Sequence, residues 1–269
     1  MTEISAALVK ELRELTGAGM MDCKRALQET HGDIDEARRL LREKGMASAG
    51  KRADRATTEG LVAYRIDDGV AAMVGIGCET EPVSKNDEFR AFAEKVLAAV
   101  DAGGPDATAT LEDERLELMG KLGENIVVAG AVRYEAHDGH VLEGYVHPPA
   151  NKIGVLVDLQ GGSEELARQL AMHISFAAPE WSTRVDVPAE TVESEREIFA
   201  NSDEVRSKPD AAREKIVEGM LAKRFFAASP GGVLVDQVWI HDPAKTVGQA
   251  LEEAGASVVG FTRISVAGS

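Results

Sequence analysis

The sequence has very little cysteine and no long apolar segment. Only Cys23 and Cys78 occur among its 269 residues, which excludes a disulfide framework. No apolar run approaches the roughly 20 residues that a membrane-spanning helix requires. The N-terminus lacks the basic region and apolar stretch of a signal peptide. We therefore expect a cytoplasmic protein that makes no contact with a membrane.

Aromatic residues and net positive charge are also scarce. Aromatics make up 4% of the chain and hydrophobic residues 44%, so we expect a folded protein with an aliphatic core. The net charge is −16, and residues 1–56 carry 11 basic and 10 acidic side chains, which leaves −17 for the rest. An acidic body repels phosphate backbones, so we expect no direct binding to nucleic acid. The acidity can also serve solubility alone.

No catalytic or metal-binding pattern is recognisable. The histidines are His31, His137, His140, His147, His173 and His241. None is paired at metal-ligand spacing with a cysteine or a second histidine. Gly45, Gly50 and Lys51 partly match a phosphate-binding loop, but Arg52 replaces the hydroxyl residue that holds magnesium, and the segment follows a helix. We expect no catalytic residue, no metal and no cofactor, and hence a protein that is not an enzyme.

Residues 1–45 have the pattern of a small bundle of three helices. The apolar residues at helical spacing are Ile4, Leu8, Leu12 and Leu15; Cys23, Ala26 and Leu27; and Ile34, Ala37, Leu40 and Leu41. Asp33 with Glu36 predicts a capping box at the start of the third helix, and Gly45 predicts its end. The loop at 17–19 either lets two backbones approach closely or presents Met20 and Met21 to a partner.

Residues 46–59 are small and charged and predict a linker. A second pattern follows this linker. A strand hairpin followed by a helix occurs twice, at 60–100 and 141–176. This repeat predicts an α+β protein with two related subdomains, each with helices on an antiparallel sheet. The predicted boundaries are 60–138 for the first subdomain, and 139–182 with 229–269 for the second. Other predicted elements are strands at 126–128, 131–135, 233–240 and 258–266, and helices at 111–122 and 246–255.

Residues 183–228 predict a helical hairpin inserted into the second subdomain. Two helices of roughly 15 residues are joined by a polar turn at Lys208-Pro209-Asp210. Between sheet elements such a hairpin projects as an arm. The arm either makes protein contacts, including contacts with a second copy of the chain, or covers a sheet face.

The first hairpin leads into a polar stretch that we regard as a candidate functional tip. The strands are expected at 61–66 and 70–77, around Asp67-Asp68-Gly69, and a helix follows with Phe89, Phe92 and Val96 on one face. Residues 78–87 between them predict a polar loop. Such a loop is either a functional tip that the rigid elements aim, or a plain connection.

Seven segments carry a pattern that is specific to one family. They are LVKELRELTGAGMMDCKRAL at 8–27, GDI at 32–34, KNDEF at 85–89, IGVLV at 153–157, AMHI at 171–174, KIVEGM at 215–220 and KTVGQ at 245–249. In this order they resemble the bacterial elongation factor Ts family, the guanine-nucleotide exchange factors of the translational GTPase elongation factor Tu. The resemblance implies an N-terminal domain like the ubiquitin-associated domain, two related core subdomains, and a helical hairpin that forms a homodimer in some members.

The resemblance also implies a partner, GDP-bound elongation factor Tu, and roles for individual residues. The N-terminal domain docks on the nucleotide-binding domain of the GTPase. A Thr-Asp-Phe-Val motif pushes between helices of the GTPase and disturbs its magnesium site, so that GDP leaves. The second subdomain grips the far domain. The matching positions are Thr80, Glu81, Pro82 and Val83 in the tip; Arg13, Met20, Met21 and Lys24 in the N-terminal domain; and His147, Ile240 and His241 in the second subdomain.

The tip departs from the family pattern at two positions. Glu81 stands in place of Asp, and Pro82 stands in place of Phe. A buried Phe would contribute roughly 1.5–3 kcal/mol of transfer free energy, whereas proline has no ring of that reach and fixes φ near −65°. Exchange requires that the factor and the nucleotide oppose each other in binding. We expect the change to weaken exchange without abolishing docking.

Three hypotheses follow for the function. The first is an exchange factor with a modified tip, which the resemblance favours. The second is a scaffold or chaperone-like partner that binds the GTPase but exchanges poorly because Pro82 replaces the Phe wedge. The third is an enzyme of another class that uses His173 or Cys78.

Overall fold

The computed structural model describes residues 4–50 and 52–266, with the side chains of 46–50 excepted. Residues 1–3 and 267–269, at the two ends of the predicted domains, therefore lie outside the described residues. So does Lys51, which belongs to the predicted linker and to the partial phosphate-loop match. The described residues form an α+β structure, which confirms the predicted fold class.

The N-terminal bundle consists of α1 (Ala6–Thr16), α2 (Met20–Glu29) and α3 (Ile34–Gly50). Its buried core is made of Val9, Leu12, Cys23, Ala26, Leu27 and Ala37. The Asp33 carboxylate accepts a hydrogen bond from the Glu36 N–H at 2.9 Å at the start of α3. The prediction for Leu15 was wrong. Its side chain is 56% exposed and lines a cleft towards the first subdomain, because Val9 fills the bundle core instead.

α3 continues past Gly45, where the sequence predicted its end. Gly45 does not turn the chain but allows close packing of α3 on α6 (Glu112–Leu122). A Cβ atom added to Gly120 of α6 would lie 3.3 Å from the Gly45 Cα. Across the same contact Arg42 pairs with Glu117 at 2.7 Å. The bundle is thereby packed against the first subdomain.

The first subdomain is an antiparallel sheet in the order β1 (Glu59–Asp67), β2 (Val70–Cys78) and β3 (Ile126–Glu135). α5 (Asp87–Gly103) covers it, with Phe89, Phe92 and Val96 buried as predicted. The strands predicted at 126–128 and 131–135 are one strand, because the extra residue Ala129 is absorbed as a bulge opposite Gly75 and Ile76. The helix predicted from 111 begins at Glu112, after a 3₁₀ turn at Pro105–Leu111.

The second subdomain repeats this plan with β4 (His140–Val146), β5 (Ile153–Gln160) and β6 (Ser257–Ser265), again antiparallel and in that order. α7 (Glu164–Ala177) and α11 (Val247–Glu253) pack on its sheet. A capping box begins α11, since the side chains of Thr246 and Gln249 each accept from the other's backbone N–H.

The two sheets pack together through a shared apolar layer. That layer contains Val62, Ala71, Met73, Leu156, Ile264 and Val266. Glycines permit the close approach: a Cβ atom on Gly154 would overlap Val62, and one on Gly144 would overlap the Tyr64 ring. The Tyr134 hydroxyl bonds the Thr262 hydroxyl at 2.7 Å across the same contact. The subdomains therefore share part of their core.

The arm consists of α8 (Ala189–Ala200), α9 (Asp203–Arg206), α10 (Asp210–Met220) and a π-helical turn at Leu221–Phe226. It has its own small core of Val205, Val217, Met220 and Leu221. The polar connection was predicted as a simple turn. It contains α9, because Val205 turns inward and is 1% exposed.

The segment 233–240 was wrongly predicted as a strand. It forms a 3₁₀ turn at Leu234–Asp236, with single bridges at Val233 and Val238. The cause is Gln237, which is fully buried and donates to the Ala228 carbonyl at 2.8 Å and to the Gly231 carbonyl. A buried amide must be satisfied, and these bonds hold the chain in a turn.

Candidate partner-binding surface

The tip begins where β2 ends and contains one turn of helix, where the sequence predicted a polar loop. α4 (Glu81–Ser84) follows Thr80, which adopts the extended conformation of a residue that precedes a helix. Pro82 lies in the first turn, where its missing N–H would have had no helical partner. The helical turn therefore accommodates Pro82 without the loss of a hydrogen bond.

The outer side chains of the tip are exposed. Glu81 and Pro82 face solvent, whereas Val83 is half-buried and packs on the core of the first subdomain. Lys85 pairs with Glu81 at 2.6 Å. The hydrogen bond from Lys85 lowers the pKa of Glu81, and the charge of Lys152 acts in the same direction. The tip thus presents a proline ring beside a carboxylate that is ionised at neutral pH.

The base of the tip is held from below by Glu124, which precedes β3. Its carboxylate accepts hydrogen bonds from the Glu79 N–H at 3.1 Å and from the Thr80 N–H and hydroxyl at 2.9 and 2.5 Å. Sequence reasoning missed this residue. It lies 44 positions from Thr80, so neither spacing nor local pattern connects the two.

Cys78 lies directly beneath the tip and is fully buried. Its Sγ donates to the Thr80 carbonyl at 3.3 Å. Burial and, next, the charge of Glu124 raise the pKa of this thiol to about 12. A nucleophilic cysteine needs a thiolate, and this thiol is protonated at neutral pH.

The turn between β4 and β5 lies beside the tip. Lys152 in this turn donates to the Thr58 carbonyl at 3.3 Å and pairs with Glu59 at the start of β1. His147, at the other end of the turn, is exposed, and its Nδ1 bonds the Tyr145 hydroxyl at 3.0 Å. Glu59 pairs with Cys78 at the base of the tip, so His147 belongs to a turn whose other end, at Lys152, neighbours the tip.

The N-terminal residues implicated by the resemblance lie together around the loop that joins α1 and α2. Arg13 and Lys24 are exposed, and Met20 and Met21 are 52% and 64% exposed. The bundle core therefore does not use these methionines, and they are available for contact. Apolar, flexible side chains flanked by two basic groups suit an adaptable protein contact.

Ile240 and His241 lie elsewhere, beside α7. Ile240 is 40% exposed, and the His241 ring nitrogen Nε2 bonds the Gln169 carbonyl at 3.0 Å. The Ile240 N–H donates to Nδ1 of the buried His173 at 3.4 Å, which leaves the His173 proton on Nε2, facing Gln237 at 2.9 Å. Burial lowers the pKa of His173, so this imidazole is neutral and supports the segment that carries Ile240.

Among the described residues, no group of three or more His, Cys, Asp or Glu side chains is placed to hold a metal ion. Likewise, none of the described helices is long and apolar enough to cross a membrane. The predicted partner-binding residues therefore lie in four places: the tip, the turn at 147–152, the loop with the N-terminal methionines and the segment at 240–241.

Sequence comparison shows the class of protein to which this chain belongs. The chain is a translation elongation factor, since the family model described as Elongation factor TS matches residues 79–268. Elongation factor Ts of Thioalkalivibrio sulfidiphilus is 43% identical over 275 residues, covering 98% of this chain and 92% of the relative. The Alkalilimnicola ehrlichii and Methylococcus capsulatus proteins of the same name are 43% and 41% identical, with the same coverage. The chain belongs to the elongation factor Ts family.

Proposed function

We propose that this chain binds the GDP-bound GTPase elongation factor Tu and promotes release of GDP by disturbing its magnesium and nucleotide site. The observation that supports this most is the tip. It projects from the end of β2, exposes Glu81 and Pro82, and is fixed at its base by three hydrogen bonds to Glu124. A rigid exposed projection of this kind suits insertion into a partner.

The docking contacts of this proposal are the other exposed residues. Met20 and Met21, with Arg13 and Lys24, would meet the nucleotide-binding domain of the GTPase. The second subdomain would meet the far domain through His147, and Ile240 and His241 would add further contacts. Exposed apolar side chains beside charged ones are typical of such contacts.

We further propose that the chain performs no covalent chemistry of its own. The two residues considered for catalysis have structural surroundings: Cys78 is a buried thiol with a raised pKa, and His173 is a buried imidazole with a lowered pKa. The helical arm would serve as the contact between two copies if the protein forms a homodimer.

A second candidate function is supported by Pro82. By the resemblance, Pro82 stands where the family has Phe, and its pyrrolidine ring is much smaller than a Phe ring. A factor with this tip would hold the GTPase as a scaffold or chaperone-like partner and release GDP slowly. The two functions differ only in the fate of the nucleotide after docking.

Stopped-flow fluorescence distinguishes them. Elongation factor Tu of the same source is loaded with fluorescent GDP and mixed with excess unlabelled GDP and increasing amounts of this protein. We expect the release rate to rise with factor concentration to a plateau. No acceleration at saturating factor would refute exchange, and a complex that retains GDP in gel filtration would instead support the scaffold.

A further inference from the structure

The tip is attached to the sheet by backbone groups that no regular element satisfies. The N–H groups of Glu79 and Thr80 come after the last residue of β2 and before the first turn of α4. Both are satisfied by one side chain, the carboxylate of Glu124, which also accepts from the Thr80 hydroxyl. Hydrogen bonds to a carboxylate are stronger than those between neutral groups. One side chain therefore satisfies both backbone N–H groups at the point where the tip leaves the sheet.

Glu124 is itself built on a rigid base. The next residue, Asn125, is 1% exposed, and its N–H donates to the Glu79 carboxylate at 2.7 Å. Its side-chain amide donates to the carbonyls of Ala53 and Arg55 at 3.2 and 2.8 Å. Arg55 completes the group by pairing with Glu79 at 3.3 Å. The support of the tip therefore includes the segment at 53–55, which connects the N-terminal bundle to β1.

Direction matters for a residue that must enter a partner. A displacement of about 1 Å in a positioning group can cost roughly a hundredfold in rate. Among the contacts of the described residues, only the Glu81–Lys85 ion pair restrains the tip on its solvent side. The Thr80 hydroxyl bonds inward, to Glu124. Restraint of the tip must then come from its base.

We propose that Glu124 is a positioning residue for the exchange step, which acts by fixing the tip and makes no contact with the nucleotide. This inference rests on the proposed release of GDP. It adds a residue from outside the tip that no local sequence pattern connects with it.

Three variants test the role of Glu124 in stopped-flow release of GDP. Glu124→Ala removes both carboxylate oxygens and with them all three hydrogen bonds, and we expect the plateau rate to fall about tenfold, the equivalent of one charged hydrogen bond. The complex still forms, because the other docking residues are intact. Glu124→Gln retains an amide oxygen for the N–H groups and is expected to rescue much of the rate. Asp106→Ala, which removes an exposed carboxylate from the same subdomain, is the control and keeps the wild-type rate.

A readout without the GTPase comes from Cys78, whose Sγ bonds the Thr80 carbonyl beneath the tip. Alkylation by iodoacetamide is followed residue by residue with peptide mass spectrometry. Cys23, buried in the N-terminal bundle, is the internal reference. With each rate taken relative to Cys23, we expect Cys78 to react about tenfold faster in Glu124→Ala than in Glu124→Gln, because the tip opens locally more often without its acceptor. Both variants lack the charge that raises the pKa of the Cys78 thiol, so the difference between them reports opening of the tip. Circular dichroism confirms that each variant is folded.

The outcomes separate this inference from the proposed function. If wild-type protein fails to release GDP, the proposed function is refuted, whatever Cys78 shows. If wild-type protein releases GDP and Glu124→Ala does so equally fast, the positioning role is overturned. A faster Cys78 reaction with an unchanged release rate also overturns it, since the tip would then be loosened without consequence.

Discussion

The Pro82 ring is the exposed apolar group at the front of the tip, and it stands in the first turn of a helix that accepts proline without losing a hydrogen bond. We expect Pro82→Phe to raise the plateau rate of GDP release about tenfold. The larger ring would bury more apolar surface in the partner, worth roughly 1.5–3 kcal/mol.

Pro82→Ala is the control for this prediction. It removes the ring and frees the backbone without adding apolar reach, so we expect no gain in stopped-flow release. A Phe variant no faster than wild type would contradict the wedge argument.

The buried thiol of Cys78 makes the free energy of unfolding decrease as the pH rises into the alkaline range. Its pKa is raised from 9.0 to about 12, so the folded protein keeps the proton that the unfolded chain releases. The contribution of this thiol to the free energy of unfolding is fully present below pH 9. It is lost as the pH rises towards 12, by up to about 1.4 kcal/mol per pH unit.

Urea unfolding at pH 8 to 10.5 measures this loss. The comparison is with Cys78→Ala, which we expect to lack the Cys78 component of the slope while it retains that of the other titrating groups. Equal slopes in the two proteins would contradict the prediction.

At the scale of elements, two helical glycines have opposite surroundings. Gly219 in α10 has open space around it, whereas a Cβ atom on Gly120 in α6 would lie 3.3 Å from the backbone of α3. We expect Gly219→Ala to stabilise the protein by about 0.5–1 kcal/mol, because alanine restricts the unfolded chain and favours the helix. In Gly120→Ala this gain is offset by the contact with Gly45.

Chemical denaturation of the two variants, with wild type beside them, gives the comparison. The packing of α3 on α6 is supported if Gly120→Ala is the less stable variant. Equal stabilisation by both substitutions would show that the helices adjust freely at this crossing.

Local periodicity predicted the helices that have one apolar face. It failed where the structure of a segment depends on contacts with residues outside that segment. Cys23, Ala26 and Leu27 recur at helical spacing and are buried. The apolar run at 233–240 has the composition of a strand, but the buried Gln237 bonds the Ala228 and Gly231 carbonyls and His173, which lies 64 positions away, and these bonds hold the chain in a turn. The tip was located by its polar composition, whereas its support by Glu124 was invisible because it joins positions 44 residues apart.

At the scale of the molecule, the two subdomains share an apolar layer whose glycines admit no side chain. We expect Gly154→Ala to cost about 1–3 kcal/mol, because its Cβ atom would overlap Val62 and the sheets would have to separate. Gly260→Ala on β6 is the matched control. Its Cβ atom would come no nearer than 3.8 Å to the Tyr134 hydroxyl, so we expect a change within about 0.5 kcal/mol.

Unfolding followed by two signals checks the shared core. Of the two tryptophans, Trp239 lies in the core of the second subdomain and Trp181 lies 5.9 Å from the Phe225 ring of the arm, so fluorescence reports on these two parts, whereas circular dichroism reports on the whole chain. We expect the two transitions of wild-type protein to coincide. Separate transitions, or a Gly154→Ala variant as stable as Gly260→Ala, would show that the sheets are energetically independent.

The bonds from Asn125 to Ala53 and Arg55 leave only a few residues between the end of α3 at Gly50 and a fixed point beneath the tip. In the proposed complex, the N-terminal methionines and the tip would be two contacts joined by this short connection. Once the first had bound the partner, the second would meet it at a local concentration on the order of millimolar, far above that of the free protein in solution. Two weak contacts would then bind together more tightly than either does alone.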